Sequence, residues 1–294
     1  AGIDASRLLN DTILLIQKLK VDHVLMENLK NQKIEIEHSV MPLLYQEFQK
    51  LPIKYYIGDV EVNDFNVIYE ELAKNGDYPA RIPFSKMNGR VAGFTNISKG
   101  DNSFYTLYAN GLAMGTAPFV AEWKMPIDAA NDNFYLKAEI KNMDMRDFNQ
   151  LVRPMAPAYV KSGRIHKLIF NTEASSLGAT VDMELAYDSL YVVVLKSMDG
   201  DVKQGLATYL VNKLALEPSN GGKDMRLPSD TIVRDPYHSN FNYFWQILQP
   251  PLIKSVGITE EKQNIAYNLL TIFNRVKRFF GSGDKKKEKD KKEG

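Results

Sequence analysis

The stretch Ala179-Thr-Val-Asp-Met-Glu-Leu-Ala-Tyr187 alternates apolar and polar side chains, and it decides which fold class the chain belongs to. In a β-strand, residues two positions apart share one face of the sheet. One face of this strand therefore carries Val181, Met183 and Leu185, while acidic and small residues lie on the other face. The pattern predicts a long strand that buries one face and leaves the other in water.

A second long strand lies upstream and shows the same alternation. Phe134, Leu136 and Ile140 share its apolar face, and they alternate with Tyr135 and Lys137. Strands of this kind bury their apolar face against another layer of structure. Because the chain has few helical segments that could form such a layer, what covers the apolar face becomes the functional question.

Composition limits the function classes that fit the chain. The 294 residues include 37 basic and 36 acidic side chains, a net charge of +1, so no basic field indicates a nucleic-acid partner. The absence of cysteine excludes disulfides, thiolate metal sites and cysteine nucleophiles. No apolar run is long enough for a membrane span, and Ala1-Gly-Ile-Asp4 does not resemble a signal peptide. We expect the chain to begin in the middle of a domain, and, if the protein is exported, its signal or anchor to have been cut away.

The first fifty residues predict helices around a pair of strands. An apolar stripe predicts a helix over residues 6–18, and two strands are expected over 21–36, separated by a turn at 28–31. A short helix is expected over 42–51, with Pro42 near its first turn.

Strands then dominate for more than a hundred residues. A change of phase within the strand 56–71 predicts a β-bulge near Asn63 and Asp64. Asp144 is placed to cap a short helix over 145–152, and Gly163 allows a turn into the strand that follows.

The C-terminal third predicts a helix over 202–216, a loop over 217–239 and an aromatic cluster over 241–248 that packs against a final helix starting at Thr259. A lysine-rich, disordered tail is expected to follow. Five residues at the end of the final helix could contact an anionic membrane surface: Arg275, Lys277, Arg278, Phe279 and Phe280. The alternative is a helix that packs on the end of the sheet before a solubilising tail. The predicted division of the chain is 1–52, 53–200, 201–283 and 284–294.

The sequence contains no motif typical of a metal-binding, nucleophilic or phosphate-binding site. The four histidines have no metal-ligand spacing, no nucleophile elbow is present, and Gly221-Gly-Lys223 lacks the spacing of a phosphate loop. Glu70 and Glu71 are adjacent on a strand and so point in opposite directions, which excludes them as a catalytic pair. We predict no enzyme, no metal site and no cofactor, while an enzyme with a distributed site stays an open alternative.

Several stretches together resemble the C-terminal region of AsmA-like envelope proteins. The resemblance rests on a strand that leads into an aspartate-started helix, a glycine turn, and a later strand that ends in Tyr-x-x-Leu. The matching stretches are Phe134-Tyr-Leu-Lys-Ala-Glu-Ile-Lys-Asn-Met-Asp-Met-Arg-Asp-Phe-Asn-Gln-Leu-Val-Arg-Pro154, Val160-Lys-Ser-Gly-Arg-Ile165 and Met183-Glu-Leu-Ala-Tyr-Asp-Ser-Leu190. Gly2-Ile-Asp-Ala-Ser-Arg-Leu-Leu9, Leu19-Lys-Val-Asp-His-Val24 and Ile53-Lys-Tyr-Tyr-Ile-Gly-Asp-Val-Glu-Val-Asn-Asp-Phe65 are similar to upstream units of that family.

The resemblance implies a mainly β protein with a few helices near both ends. Its long, curved and largely antiparallel sheet is expected to form an open groove with an apolar floor, like that of bridge-like lipid transfer proteins. It also implies a location in the periplasm, an inner-membrane anchor in the full-length protein, and a role in envelope lipid homeostasis.

Phospholipid or another acyl-chain lipid is the expected partner, together with possible envelope proteins and no nucleic acid. The candidate floor residues of a lipid-binding groove are Phe134, Leu136, Ile140, Val181, Met183 and Leu185. Two alternatives stay open. The same residues could form an ordinary core beneath the chain's own helices, or the protein could be a structural or interaction protein of the envelope whose sheet edge pairs with a partner.

Overall fold

A single sheet of nine strands forms the body of the protein. The computed structural model describes residues 13–34, 39–74, 76–98, 100, 103–127, 132–196, 203–258 and 262. The strands are β1 (Ile13–Asn31), β2 (Lys54–Leu72), β3 (Ala80–Thr95), β4 (Phe104–Ala113), β5 (Ala117–Pro126), β6 (Phe134–Asp144), β7 (Ala158–Ala174), β8 (Gly178–Val194) and β9 (Ser229–Val233). The helices are α1 (Leu44–Gln49), α2 (Asn149–Val152), α3 (Gly205–Leu210) and α4 (Asn240–Ser255).

The strands lie side by side in the order in which the chain makes them. Only β1 and β2 are parallel, and the crossover that parallel strands require contains α1. Every later neighbour is antiparallel. Within the described residues β1 pairs with β2 alone and β9 pairs with β8 alone, so the sheet is not closed. The expected mainly β, largely antiparallel and unclosed sheet is confirmed.

Two predictions about the N-terminal segment are wrong. Residues 13–18 belong to β1 rather than to a helix, and β1 runs to Asn31 without the turn predicted at 28–31. The apolar run Ile13-Leu-Leu-Ile16 fits a helix and a strand equally well by periodicity, and pairing with β2 along its whole length selects the strand. The proposed helical residues 6–12 lie outside the described part of the chain.

Other local predictions are confirmed. The register of β2 against β3 shifts between Val62 and Phe65, where Asp64 adopts a positive φ of 50°. The carboxylate of Asp144 accepts a hydrogen bond from the backbone N–H of Arg146 and starts a 3₁₀ turn that continues into α2. The prediction of a loop throughout 217–239 is wrong in part, because Ser229–Val233 forms β9, which pairs with the start of β8. The sheet joins strands from three of the four predicted segments, and that division stays a prediction.

Irregularities in the strands bend the sheet. Five non-glycine residues inside the strands have positive φ, and a register shift at such a point increases twist and curvature. They are His23, Asp64, Lys86, Asn142 and Ser189. Gly163 in β7 also has a positive φ, of 141°. It lies so close to Met145 that a Cβ atom there would be 2.6 Å from the Met145 sulfur.

The helix α4 lies lengthwise across part of the inner face of the sheet. At its N-terminal end the ring of Phe241 stacks on Tyr69 of β2, with centroids 5.4 Å apart. At its C-terminal end the carbonyl oxygen of Ser255 accepts a hydrogen bond from the Tyr187 hydroxyl of β8, and Lys254 pairs with Asp230 of β9. The 16 residues of α4 span about 24 Å along the helix axis, which is enough to connect these strands.

The two faces of the sheet differ completely in chemistry. One row of paired residues crosses eight strands on the inner, concave face: Leu19, Val60, Val91, Leu107, Trp123, Leu136, Thr172 and Val181. The neighbouring row on the outer face is Lys20, Glu61, Arg90, Tyr108, Glu122, Lys137, Asn171 and Asp182. The alternation predicted for two strands thus holds across the whole sheet.

Candidate functional site

Four of the six predicted floor residues lie in the core beneath α4. Phe134, Val181, Met183 and Leu185 are at most 2% exposed and belong to one cluster with Tyr243 and Ile247 of α4. These four side chains therefore contact the chain's own helix and line no opening. The remaining two, Leu136 and Ile140 on β6, keep part of their surface in solvent. For the four, the structure matches the alternative of an ordinary core.

Beside the α4 contact, the inner face from β6 towards β1 is only partly buried. Here apolar side chains that are in register with the buried core are partly exposed: Leu107, Phe119, Ala121, Phe84, Met87, Val60, Val62, Phe65, Val21 and Val24. Trp123 of β5 borders this surface, and its ring meets that of Phe244 of α4 with centroids 5.3 Å apart. At the edge, Leu19 and Met26 of β1 are 37% and 41% exposed. We call this surface, the inner face of β1–β6 outside the α4 contact, the apolar groove.

The space above Gly89 gives a direct measure of how open the groove is. A Cβ atom built on Gly89 would meet only Leu107 Cδ1, at 3.3 Å, and the carbonyl oxygen of Tyr108, at 3.7 Å. Both atoms belong to β4, the strand beside it. No atom of a covering layer lies within 4 Å of that position among the described residues. No described side chain from another layer therefore packs directly on the floor at Gly89.

Gly111, one row further along β4, is filled by its neighbours. A Cβ atom there would lie 2.7 Å from Cγ of Met87 and 3.0 Å from Cε1 of Phe119. Phe119 is held by the edge of the Phe84 ring, with centroids 5.7 Å apart. Large side chains thus fill the position above Gly111, whereas the position above Gly89 is not filled. At the far end of the Gly89 row, Ala138 is buried in the main core.

A buried ion pair marks one end of the groove. On the inner face of β1 and β2 the apolar residues give way to Lys30 and Glu71, whose charged atoms lie 3.2 Å apart. The Glu71 carboxylate is fully buried and also accepts hydrogen bonds from Gln32 at 2.7 Å and from the hydroxyl of Tyr69 at 2.8 Å. Burial raises the pKa of Glu71, and the nearby Lys30 ammonium and these hydrogen bonds oppose the rise.

A second concavity lies on the polar face of the sheet and differs from the groove. It has a volume of about 680 Å³, and its lining includes Glu122, Lys137, Asp182 and the edge of the Tyr135 ring. Its mixed charges lie among strand residues that face solvent. Its acidic lining residues are Glu122, Glu173 and Asp182, and they lie among Lys124 and Lys137.

Two of the histidines that the structure describes form surface pairs with aspartates, whereas the less exposed His238 has its Nδ1 atom 3.2 Å from a carboxylate oxygen of Asp235. Nδ1 of His23 lies 2.9 Å from a carboxylate oxygen of Asp64, and His166 pairs with Asp188. Across the ranges that the structure describes, no group of three or more acidic or histidine side chains is arranged to hold a metal ion.

The membrane-contact prediction concerns residues outside the described part of the chain: Arg275, Lys277, Arg278, Phe279 and Phe280. Among the helices that the structure does describe, none is both long and apolar enough to cross a bilayer.

Sequence reasoning missed the open floor because its residues are small. Gly89, Ala109 and Ala121 carry little hydrophobic signal, so their strands show weaker alternation than β8. The available clue was that the inward-facing side chains of β4 become steadily smaller, from Tyr105 through Leu107 to Gly111.

Comparisons of the chain with family models, with curated proteins and with solved structures gave no match.

Proposed function

We propose that the apolar groove binds the acyl chains of phospholipid or of a similar lipid, and that the protein moves such lipids between membranes of the cell envelope. The observation that carries the proposal is a partly exposed apolar floor without charged side chains, which continues the buried core from β6 to β1 and has no covering atom within 4 Å of a Cβ position on Gly89. A surface of this kind binds through the hydrophobic effect and needs no catalytic group. The proposed activity is therefore binding and transfer rather than catalysis.

The energetics of lipid transfer favour such a surface. Each methylene group that leaves water contributes about 0.8 kcal/mol, so a chain of about sixteen carbons costs roughly 12 kcal/mol to expose. A continuous apolar groove removes most of that cost without specific polar contacts. The charged outer face keeps the same sheet soluble.

The resemblance to AsmA-like proteins supports the proposal at the level of architecture. That family implies a curved, mainly β sheet with an apolar floor, and the unclosed sheet described above agrees with this expectation. We accordingly propose a periplasmic protein of the cell envelope that an N-terminal anchor attaches to the inner membrane.

Charges placed on the groove face of β1 test the proposal. We expect Leu19→Asp combined with Met26→Asp to lower the amount of bound lipid more than about tenfold, because a carboxylate must be desolvated beside an acyl chain. The measurement is native mass spectrometry of protein purified in mild detergent, with bound phospholipid counted per protein molecule. Both positions are exposed, so the melting temperature should change little.

The opposite face of the same strand provides the matched control. Leu25 and Leu29 are 62% and 59% exposed and point away from the groove. Leu25→Asp combined with Leu29→Asp adds the same charge and should leave lipid binding unchanged. Wild-type protein that carries no lipid, or equal lipid loss in both double variants, contradicts the proposal.

The free edge of β1 favours a second candidate function. This strand is 19 residues long, and Leu25 and Leu29 expose apolar surface beside an edge that no described strand covers. Long apolar edges pair with other chains. An envelope protein that adds a strand to this edge is therefore the alternative partner.

Pull-down experiments separate the two candidates. Edge pairing predicts a stable protein complex that survives Leu19→Asp with Met26→Asp but is lost when proline replaces Glu27 in the middle of β1, because proline removes a donor and disturbs the strand. If no protein co-purifies with the wild-type chain, edge pairing fails and the lipid proposal is unaffected.

A further inference from the structure

A furrow of small side chains crosses the floor of the apolar groove. On β3 to β6, four residues in direct register are Gly89, Ala109, Ala121 and Ala138. The row on one side of them holds larger residues: Val91, Leu107, Trp123 and Leu136. On the other side lie Met87, Phe119 and Ile140, and the first two of these close over Gly111. The depression thus runs across the strands, between two ridges.

The dimensions of the furrow follow from sheet geometry. Neighbouring strands are about 4.8 Å apart, so the row of small residues from Gly89 on β3 to Ala138 on β6 is roughly 14 Å long. The larger side chains of Val62 on β2 and Val21 on β1 continue the row beyond the furrow. Along each strand the two ridges are four residues apart, about 13 Å between backbone positions, and their side chains narrow the space between them. This shape suits one slender chain.

Charge complementarity restricts the occupant further. The furrow and both ridges carry no ionisable side chain between β1 and β6. The paired row on the opposite face carries five charged residues: Lys20, Glu61, Arg90, Glu122 and Lys137. On the inner face the first charges appear at Lys30 and Glu71, at the end of the groove. An uncharged hydrocarbon chain matches such a surface, and a charged head group does not.

We propose that this furrow is the track for a single unbranched acyl chain lying across the strands, and that Gly89, Ala109 and Ala121 select straight chains over rigid ring systems such as sterols. This inference rests on the proposed lipid-binding function and assigns its specificity. The furrow depends on small residues because a side chain larger than alanine would rise to the height of the ridges. The open space above Gly89 lies along this track.

A larger side chain that fills the furrow tests whether an acyl chain binds there. We expect Ala109→Phe to weaken binding of a palmitic acid probe with a mid-chain diazirine about tenfold, the loss expected when about two methylene groups leave the floor. The control is Ala92→Phe, on the neighbouring strand, because Ala92 is exposed on the opposite face. Ala92→Phe should bind the probe like the wild type. After illumination, peptides from β3, β4 and β5 should carry the label, and a diazirine sterol should label them far less.

The outcomes separate the furrow from the wider proposal. If the wild-type protein binds the probe, Ala109→Phe binds it equally well, and the label lies outside β3–β5, the furrow inference is overturned while lipid binding stands. If the wild type takes up no probe, both fail. If Ala109→Phe does not fold, Gly89→Leu decides, because a Cβ atom at this position would meet only the flexible end of Leu107 and the Tyr108 carbonyl. An unchanged affinity in Gly89→Leu likewise overturns the furrow.

Discussion

Phe134→Ala should lower the free energy of unfolding by about 3–5 kcal/mol, the usual cost of truncating a fully buried aromatic side chain. Phe134 is 1% exposed. Four aromatic rings surround it, with centroid distances of 5.9 Å to Tyr45, 6.0 Å to Trp123, 6.4 Å to Tyr243 and 6.3 Å to Phe244. These rings belong to α1, β5 and α4, so the substitution opens a cavity where two helices meet the sheet.

Urea unfolding followed by circular dichroism measures this loss. The control is Tyr135→Ala, one residue along β6, because Tyr135 is 38% exposed on the outer face and should cost less than about 1 kcal/mol. Similar losses in the two variants would show that α4 does not pack over Phe134 as described. The result also bears on function, since it tests whether this part of the inner face is core rather than open floor.

The second large effect concerns the buried carboxylate at the end of the groove. Lys30→Met should destabilise the protein by about 3 kcal/mol at pH 8, because it leaves the Glu71 charge buried without its cation. Gln32 and Tyr69 still donate hydrogen bonds to Glu71, which keeps the effect at the lower end of the range for broken buried pairs.

The pH dependence of this loss follows from the direction of the pKa shift. Burial raises the pKa of Glu71 above its ordinary value of 4.5, and the Lys30 ammonium opposes that rise. A carboxyl group with a raised pKa in the folded state stabilises the fold most at pH below 4.5, and this contribution is lost as the pH rises through the raised pKa. Removing Lys30 raises the pKa further, so the destabilisation should be smaller at pH 5 than at pH 8.

Unfolding experiments at the two pH values check this prediction. Adding Glu71→Gln to the Lys30→Met variant removes the buried charge and should recover most of the stability at pH 8. An equal loss at pH 5 and pH 8, or no recovery in the double variant, would contradict the account. The expected difference between pH values excludes a packing effect of Lys30 alone, because packing loss does not follow the titration of a carboxyl group.

Local sequence predicted the features that depend on neighbours in the chain. Alternation in β8 follows from the pleat of a strand, and the bulge at Asp64 and the cap at Asp144 follow from phase and side-chain chemistry over a few residues. The same rules failed for residues 13–18. There an apolar run fits both periods, and the competing interaction, pairing with β2, lies about forty residues away in the chain.

In the candidate site, too, the local sequence predicted some features and long-range contacts decided the others. Sequence identified an apolar face but could not say which part of it is covered, so four of the six predicted floor residues are core and only Leu136 and Ile140 border the open surface. The cover over the four is α4, and its position depends on contacts with β8 on one side and Tyr69 on the other. Such contacts join residues far apart in the chain.

The sequence by itself determined that this chain builds long strands with one apolar and one charged face, because the alternation of side chains is a local property with a fixed period of two. Only the tertiary structure decided where the apolar face is sealed and where it is left open. Curvature and helix docking are sums of many long-range contacts, and Gly89 and Ala109 become a furrow only when register brings them beside each other between ridges of larger residues.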